Sequence, residues 1–405
     1  MTVQGPLAID PVATAIAGFA DEFVALRRKL HGAPELAYNE HKTSALVADY
    51  LESWGYEVAR NVGKTGVVGT LKVGPGERSV GIRADMDALP ILEATGLDYA
   101  SQTPGVMHAC GHDGHTSILL AAARQLAETR NFSGTLRVIF QPAEENGGGA
   151  RTMIADGLFE RFPVDAVFGL HNWPGVPAGQ FGFLPGPAMA SVDLVIIKVI
   201  GKGGHGAKPQ QTVDPVVASA SLVMALQTVV SRSVDPLEMA VVTVGSIHGG
   251  IAPNVIPDSV ELQITVRTFN GAVREQIKAR IIALADAHAQ SFGARAEVNY
   301  PRGYPVLVND AAQTEFARQV AIRHFGEQRI HAELRPITAS EDFAFMLEKL
   351  PGAYLFVGNG DSADLHSPNY DFNDTILPDA ARYWVRLAQD YLSANSIDHN
   401  AGETL

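Results

Sequence analysis

The sequence predicts an α/β fold in which a larger domain is interrupted by a smaller one. Two patterns predict it. Short apolar runs alternate with amphipathic helical stretches near both ends of the chain, as in a sheet with helices on its faces. From about residue 187 to 300 the order changes to βαββαβ, a compact ferredoxin-like unit. The chain has 405 residues, and single cores seldom grow past about 250–300 residues, so two domains also suit its length. The expected division is 1–186 with 301–405 for the larger domain and 187–300 for the insertion.

The elements follow from spacing. In residues 12–30, Ile16, Phe19, Phe23, Leu26 and Leu30 share one helical face. Residues 43–54 read as a second helix with Thr43 as its cap. Apolar runs at 66–72, 79–87, 135–140 and 166–170 read as strands, with helices at 116–129 and 150–159 between them. In the insertion, residues 192–200, 240–247, 260–269 and 294–300 are strand candidates. Asp214-Pro215 opens a helix reaching about residue 231, with Asp as cap and Pro at the first helical position. A long helix is expected over 272–292. Beyond it come a helix at 310–325, a strand at 354–357 and a final helix at 378–392.

Bulk properties narrow the function. The composition is that of a soluble globular protein, 46% hydrophobic with a net charge of −13. Such an acidic chain repels nucleic acid and anionic membranes, so neither is an expected partner. No apolar stretch reaches the roughly 18–20 residues of a membrane span. The N-terminal residues lack a basic segment followed by an apolar run, so no secretory signal is expected. A single cysteine excludes an intrachain disulfide and suits a reduced, cytoplasmic protein.

Four clusters carry chemistry, at expected strand ends or in loops, where open α/β sheets bind ligands. Arg83-Ala84-Asp85-Met86-Asp87 closes a strand with charges that need partners. In Met107 to His115, three histidines and the only cysteine fall within nine residues, and Cys110 and His112 are good ligands for a borderline-soft cation. Gly111 and Gly114 there suit a tight loop ahead of a helix starting at Thr116. In Gln141 to Gly149, the neighbours Glu144 and Glu145 would point to opposite sides of an extended chain, one towards a metal and one towards a water as general base. His171, directly after a strand, and His366, in a loop, are weak candidates singly. Together Cys110, His112, one of Glu144 and Glu145, His171 and His366 are too many ligands for one tetrahedral zinc. They suit two cations about 3.5–4 Å apart that share a bridging ligand and a water.

The segments RADMDALPI, MHACGHDGH, FQPAEENGGGA, GLHNWP, GKGGHGAKP and ASEDFAF, in that order, resemble the aminoacylase/carboxypeptidase family of dinuclear metallohydrolases. The nearest branch comprises hippurate hydrolases, N-acyl-amino-acid amidohydrolases and plant auxin-conjugate hydrolases. The resemblance implies a zinc-peptidase-like catalytic domain with an inserted lid that also forms a dimer. It implies that Cys110 bridges two divalent metals, that His112, Glu145, His171 and His366 complete the ligand set, and that Glu144 is the general base. Asp87 resembles a carboxylate that orients the site. His205, in Gly203-Gly204-His205-Gly206, resembles a histidine that reaches the partner subunit's active site and stabilises an oxyanion. Asn254 and Arg267 are candidates for holding a substrate carboxylate. The sequence departs from the wider family in two places: Asp85 stands where that family has a metal-binding histidine, and Cys110 where it has a bridging aspartate.

The implied activity is hydrolysis of N-acyl or N-aroyl amino acids, small-molecule substrates, to a carboxylic acid and a free amino acid. Zinc or manganese is the expected metal, with cobalt and nickel as other candidates. Two alternatives remain hydrolases: a dipeptidase or carboxypeptidase of the same family, and an amidase with Cys110 as nucleophile. A binding protein with a structural metal is the third, though structural zinc sites usually use several cysteines.

Overall fold

The computed structural model describes residues 10–393. Part of the N-terminal stretch read above for a secretory signal lies outside them. The elements in chain order are α1 (Pro11–Gly32), α2 (His41–Ser53), β1 (Glu57–Val62), β2 (Gly66–Val73), β3 (Ser79–Asp85), α3 (His112–Thr129), β4 (Gly134–Gln141), α4 (Gly149–Ala155), α5 (Leu158–Arg161) and β5 (Ala166–Pro174). Then follow β6 (Phe181–Gly182), β7 (Gly186–Met189), β8 (Ser191–Ile200), β9 (Gly204–His205), α6 (Pro215–Thr228), β10 (Ala240–His248), β11 (Val255–Ile256), β12 (Ser259–Thr268), α7 (Gly271–Ser291) and β13 (Arg295–Asn299). The chain closes with β14 (Leu307–Asn309), α8 (Ala311–Phe325), β15 (Ile330–His331), α9 (Ala344–Leu347), β16 (Gly352–Gly360) and α10 (Leu377–Ser393).

The chain divides into two compact units. Among the described residues, one comprises 10–186 with 308–335 and 345–393, and the other comprises 187–307 with 336–344. The first holds an eight-stranded sheet in the order β1-β2-β4-β3-β5-β16-β6-β15. Its centre, β4-β3-β5-β16, is parallel. β3 is buried along its whole length, and β5 over seven of its nine residues, as expected of strands covered on both faces. Helix α3 packs against α1, α10 and β3 and is almost wholly buried. Asp10 caps α1 by accepting from Val12 N at 2.9 Å, with Pro11 at the first helical position. The central strands run the same way, so their carboxyl ends gather at one edge, and the loops that follow them carry the candidate site.

The second unit has a four-stranded antiparallel sheet, β10-β12-β8-β13. Alternate residues of β8, among them Val195, Ile197 and Val199, face a core shared with Leu222 and Leu226 of α6 and Ile277 and Ile281 of α7. The Asp214 side chain caps α6 from Val216 N at 2.8 Å. A bidentate pair of Arg274 with Asp193, at 2.5 and 2.9 Å, ties α7 to β8 inside this core.

Several boundaries differ from expectation for physical reasons. Thr43 does not cap α2. The helix begins at His41, and the Glu35 carboxylate binds the N–H groups of Lys42 and Thr43. Helix α3 begins at His112 instead of Thr116. Gly114 lies inside its first turn, because a Cβ there would come within 2.4 Å of the Phe372 ring. The helix expected over 150–159 breaks at Gly157, which has φ +81°. β3 ends at Asp85, which leaves Asp87 in the loop. β5 continues through His171, so that histidine is part of the strand. Among the described residues, Pro215–Ser233 is 19 residues long with mean hydropathy 1.3, which meets the length and polarity of a membrane span and corrects the reading that no such stretch exists. Its residues Ala218, Leu222 and Leu226 are packed in the core of the second unit.

Candidate metal centre and active site

Cys110 lies at the end of the long connection from β3 to α3. Gly111 has φ +91°, and a Cβ there would fall 2.2 Å from Asn172 Oδ1, so only glycine lets the chain turn into α3 at this point. The turn puts Cys110 and His112 on either side of it. His112 Nδ1 bonds the Asp87 carbonyl at 2.8 Å, which directs Nε2 inward. His171 Nδ1 bonds the Asn172 carbonyl at 2.7 Å, and Nε2 lies 3.4 Å from Cys110 Sγ. His366 sits in a left-handed turn, φ +64°, held by its own N–H on Ala109 O at 2.8 Å. Its Nε2 is 3.4 Å from Glu145 Oε1.

The candidate ligands form two sets of three. One ligand atom each from Cys110, His112 and His171 lie within 4.8 Å of one another, and so do those of Cys110, Glu145 and His366. Cys110 belongs to both. His112 Nε2 and Glu145 Oε1 are buried without a hydrogen-bond partner, a costly state for polar atoms unless something else binds them. Burial pushes the Cys110 thiol well up, and the Glu145, Glu144 and Asp85 carboxylates push it further. Burial lowers His112, but Asp85, Asp87 and Glu145 outweigh it and raise its pKa to about 10. At both groups neighbouring carboxylates favour the protonated form, a local negative charge that a cation would neutralise. The donors, thiolate, imidazole and carboxylate, suit zinc-like divalent ions. The residues therefore fit a pair of divalent cations.

Glu144 and Glu145 are in a turn and not in extended chain, which corrects the expected opposition of neighbouring side chains. Asp87 organises them: its Oδ1 accepts from Glu144 N at 2.9 Å and its Oδ2 from Glu145 N at 3.1 Å. Asp87 Oδ1 is also 3.4 Å from His112 Nδ1. One oxygen of Glu144 lies within 4.8 Å of both an atom of Glu145 and one of His112.

The pairings of a second layer escaped the sequence reading. Asp85 is fully buried and bonds Arg83 Nη1 and His115 Nδ1, each at 2.6 Å. Burial raises its pKa, but His112, Arg83 and His115 together hold it well below the usual carboxylate range. His115 Nε2 meets Asn172 Oδ1 at 2.8 Å, and Asn172 Nδ2 donates to Tyr370 at 2.5 Å. The carboxylate at position 85, where the wider family was expected to have a ligand, is thus engaged by Arg83 and His115. Its Oδ2 remains 3.7 Å from His112 Nε2. Behind it, buried Arg27 and His31 of α1 face Asp113, at 3.5 and 2.8 Å. Charged residues on the apolar face of α1 were the sequence signal for this layer. His108 is buried with neither ring nitrogen bonded, and burial lowers its pKa to about 4.

The other three candidates lie in the second unit. His205 is exposed on β9, opposite Val255 of β11, and its Nδ1 accepts from Ala207 N at 3.1 Å. Asn254 is its near neighbour, with its carbonyl accepting from Gly206 N at 2.8 Å. Arg267, on β12, is half-buried and donates from Nη1 to Thr338 O at 2.7 Å. His205 and Asn254 are therefore brought together, and Arg267 lies in the four-stranded sheet and not in their strand pair.

Residues 81–390 match Peptidase family M20/M25/M40. A hippurate hydrolase of Campylobacter jejuni is 45% identical over 371 residues, 92% of this chain and 97% of that protein. An N-acetyl-L-cysteine deacetylase of Bacillus subtilis is 41% identical over 92% of this chain and 89% of its own length. The crystal structure of the Bacillus subtilis YXEP protein, described as a dinuclear metal binding peptidase from the M20 family, superposes with a TM-score of 0.80 at 34% identity, covering 93% of this chain and 99% of that one. The chain belongs to Peptidase family M20/M25/M40.

Proposed function

We propose that the protein is a metal-dependent amidohydrolase that cleaves N-acyl or N-aroyl amino acids to a carboxylic acid and a free amino acid. Relatives that hydrolyse hippurate and deacetylate N-acetyl-L-cysteine support the substrate class. The observation that carries the reading is the pair of donor sets joined at Cys110, with His112 Nε2 and Glu145 Oε1 buried and unbonded.

In this reading Cys110, His112 and His171 hold one divalent cation and Cys110, Glu145 and His366 the other, zinc or manganese by donor type. Bound there, such cations polarise an amide carbonyl and acidify a water. Glu144, beside both sets, takes the proton from the attacking water and returns it to the departing amino-acid nitrogen. Asp87 keeps Glu144 and Glu145 in place through their backbone N–H groups. Asp85 and His115 keep the imidazole side of the site in order. His205, from a partner subunit, would stabilise the oxyanion, and Asn254 and Arg267 would hold the substrate carboxylate.

The second unit is proposed as a lid that also makes a homodimer. Val216, Val217 and Met224 of α6 and Ile247 on β10 are exposed, and β10 is a sheet edge, features that favour association. The single cysteine favours a reducing, cytoplasmic setting.

A cysteine-nucleophile reading draws on the 3.4 Å approach of Cys110 to His171. It needs an electropositive thiol beside a basic histidine. Here carboxylates surround the thiol, and burial holds the His171 pKa well below its ordinary value. The test compares wild type with Glu144→Gln. Wild type should bind two cations per chain and hydrolyse hippurate-like amides. Glu144→Gln should bind the same two and lose most turnover. Unchanged turnover in Glu144→Gln would remove the base assignment.

A further inference from the structure

Three consecutive backbone N–H groups beside the metal centre are each bound by a buried carboxylate. Glu40 Oε1 accepts from Ala143 N at 2.8 Å, and the two oxygens of Asp87 accept from Glu144 and Glu145. This clamp begins at Ala143, which has φ +53°, a conformation that L side chains avoid. Gly147 N and Gly149 N fold back onto the Ala143 carbonyl at 3.2 and 3.1 Å and close the turn.

Glu40 stands at the N-cap of α2, where an acidic side chain normally binds the first N–H groups of its own helix. It makes no such bond. Glu35 caps α2 in its place, on Lys42 N and Thr43 N at 3.0 and 2.9 Å. The Glu40 carboxylate turns inward instead, is fully buried, and reaches a partner 103 residues away. Its second oxygen accepts from Thr65 Oγ1 at 2.6 Å. Burial raises its pKa against the pull of the Thr65 bond, and the Asp87 charge adds to the rise. Burying a carboxylate is costly, and α2 gains no cap from this one. Among the described residues its carboxylate is bonded across the fold by Thr65 and by the turn that carries the two glutamates.

We propose that Glu40 is a positioning residue of the metal centre: with Thr65 it holds Ala143 in the left-handed turn and so sets where the Glu144 and Glu145 carboxylates point. The inference rests on the dinuclear reading above. Of the two sets proposed to hold the ions, Glu145 belongs to the one with Cys110 and His366, and it also lies near His112 and Glu144. Loosening the turn therefore weakens one cation and slows proton transfer, while the Cys110, His112 and His171 set keeps its ion.

The test uses the full chain loaded with zinc or manganese. Metal per folded chain and the affinity of the weaker ion are measured beside kcat and KM for a hippurate-like amide, for Glu40→Ala, Glu40→Gln and Thr65→Val. Glu40→Ala should keep one tight ion, bind the other about 10–100-fold more weakly, and lose kcat with little change in KM. Glu40→Gln, whose amide oxygen still accepts from Ala143 N, should recover most of both. Thr65→Val should shift both in the direction of Glu40→Ala by less, and it decides the matter if Glu40→Ala does not fold. Two ions at wild-type affinity in Glu40→Ala, or in Thr65→Val where the first is unfolded, overturn the inference, as does a lowered Tm with metal and kcat of the folded fraction unchanged. A wild-type chain that binds fewer than two ions overturns the dinuclear reading, and this inference with it.

Discussion

The two units hold their candidate site residues in opposite ways. In the first, Arg83, Asp85, Asp87, His112, His115, Glu144 and His171 are all buried at the carboxyl edge of the parallel strands, and nearly every ring or carboxylate has a fixed partner. In the second, His205 and Asn254 are exposed at a short two-stranded sheet, and the Arg267 side chain donates to a backbone carbonyl. A buried network sets geometry before any ligand arrives, because moving one member strands another without a partner. Exposed side chains are set in place by what they meet. The metal centre should therefore survive changes in the second unit, whereas turnover should depend on both.

Four experiments can break that contrast. The largest effect is expected for Cys110→Ala, which removes the one donor common to both sets. Metal analysis should show both ions lost with all hydrolysis, and retention of two ions would place the bridge elsewhere. Next, Glu144→Gln should lower kcat by about 10²–10⁴-fold with metal content unchanged. His205→Ala comes third. It should cost about 10²–10³-fold in kcat while metal affinity stays at the wild-type value, and a fall in metal affinity would erase the distinction between the units. The smallest effect is expected for Asp85→Asn, which weakens the bonds to Arg83 and His115 and removes a charge near His112 but no proposed ligand. Calorimetric titration should show metal affinity lowered about 10–100-fold.

How much was legible in the sequence follows the same division. Cys110 and His112 stand out in the sequence by residue type and local density, whereas the choice of Glu145, His171 and His366 as ligands comes from the family resemblance. The α/β class and the cap at Asp214 could be read because they depend on near neighbours. What escaped depends on contacts far along the chain. Glu40 reaches Ala143, His31 reaches Asp113 and His115 reaches Asn172 across separations of 103, 82 and 57 residues. No local pattern announces such pairs. The start of α3 was misread for a related reason: Gly114 looks like a helix breaker until the Phe372 ring that occupies its missing side chain is known. Glu144 and Glu145 were assigned to extended chain because the Asp87 carboxylate that folds their backbone into a turn is nearly sixty residues upstream, at separations of 57 and 58.

The central claim is that two cations share Cys110. Anomalous diffraction from a crystal of the wild-type chain loaded with manganese or zinc tests it most directly. The account predicts two peaks about 3.5–4 Å apart, both at bonding distance from Cys110 Sγ, one beside His112 and His171 and the other beside Glu145 and His366. A single peak, or two peaks of which one lies away from Cys110, would contradict it.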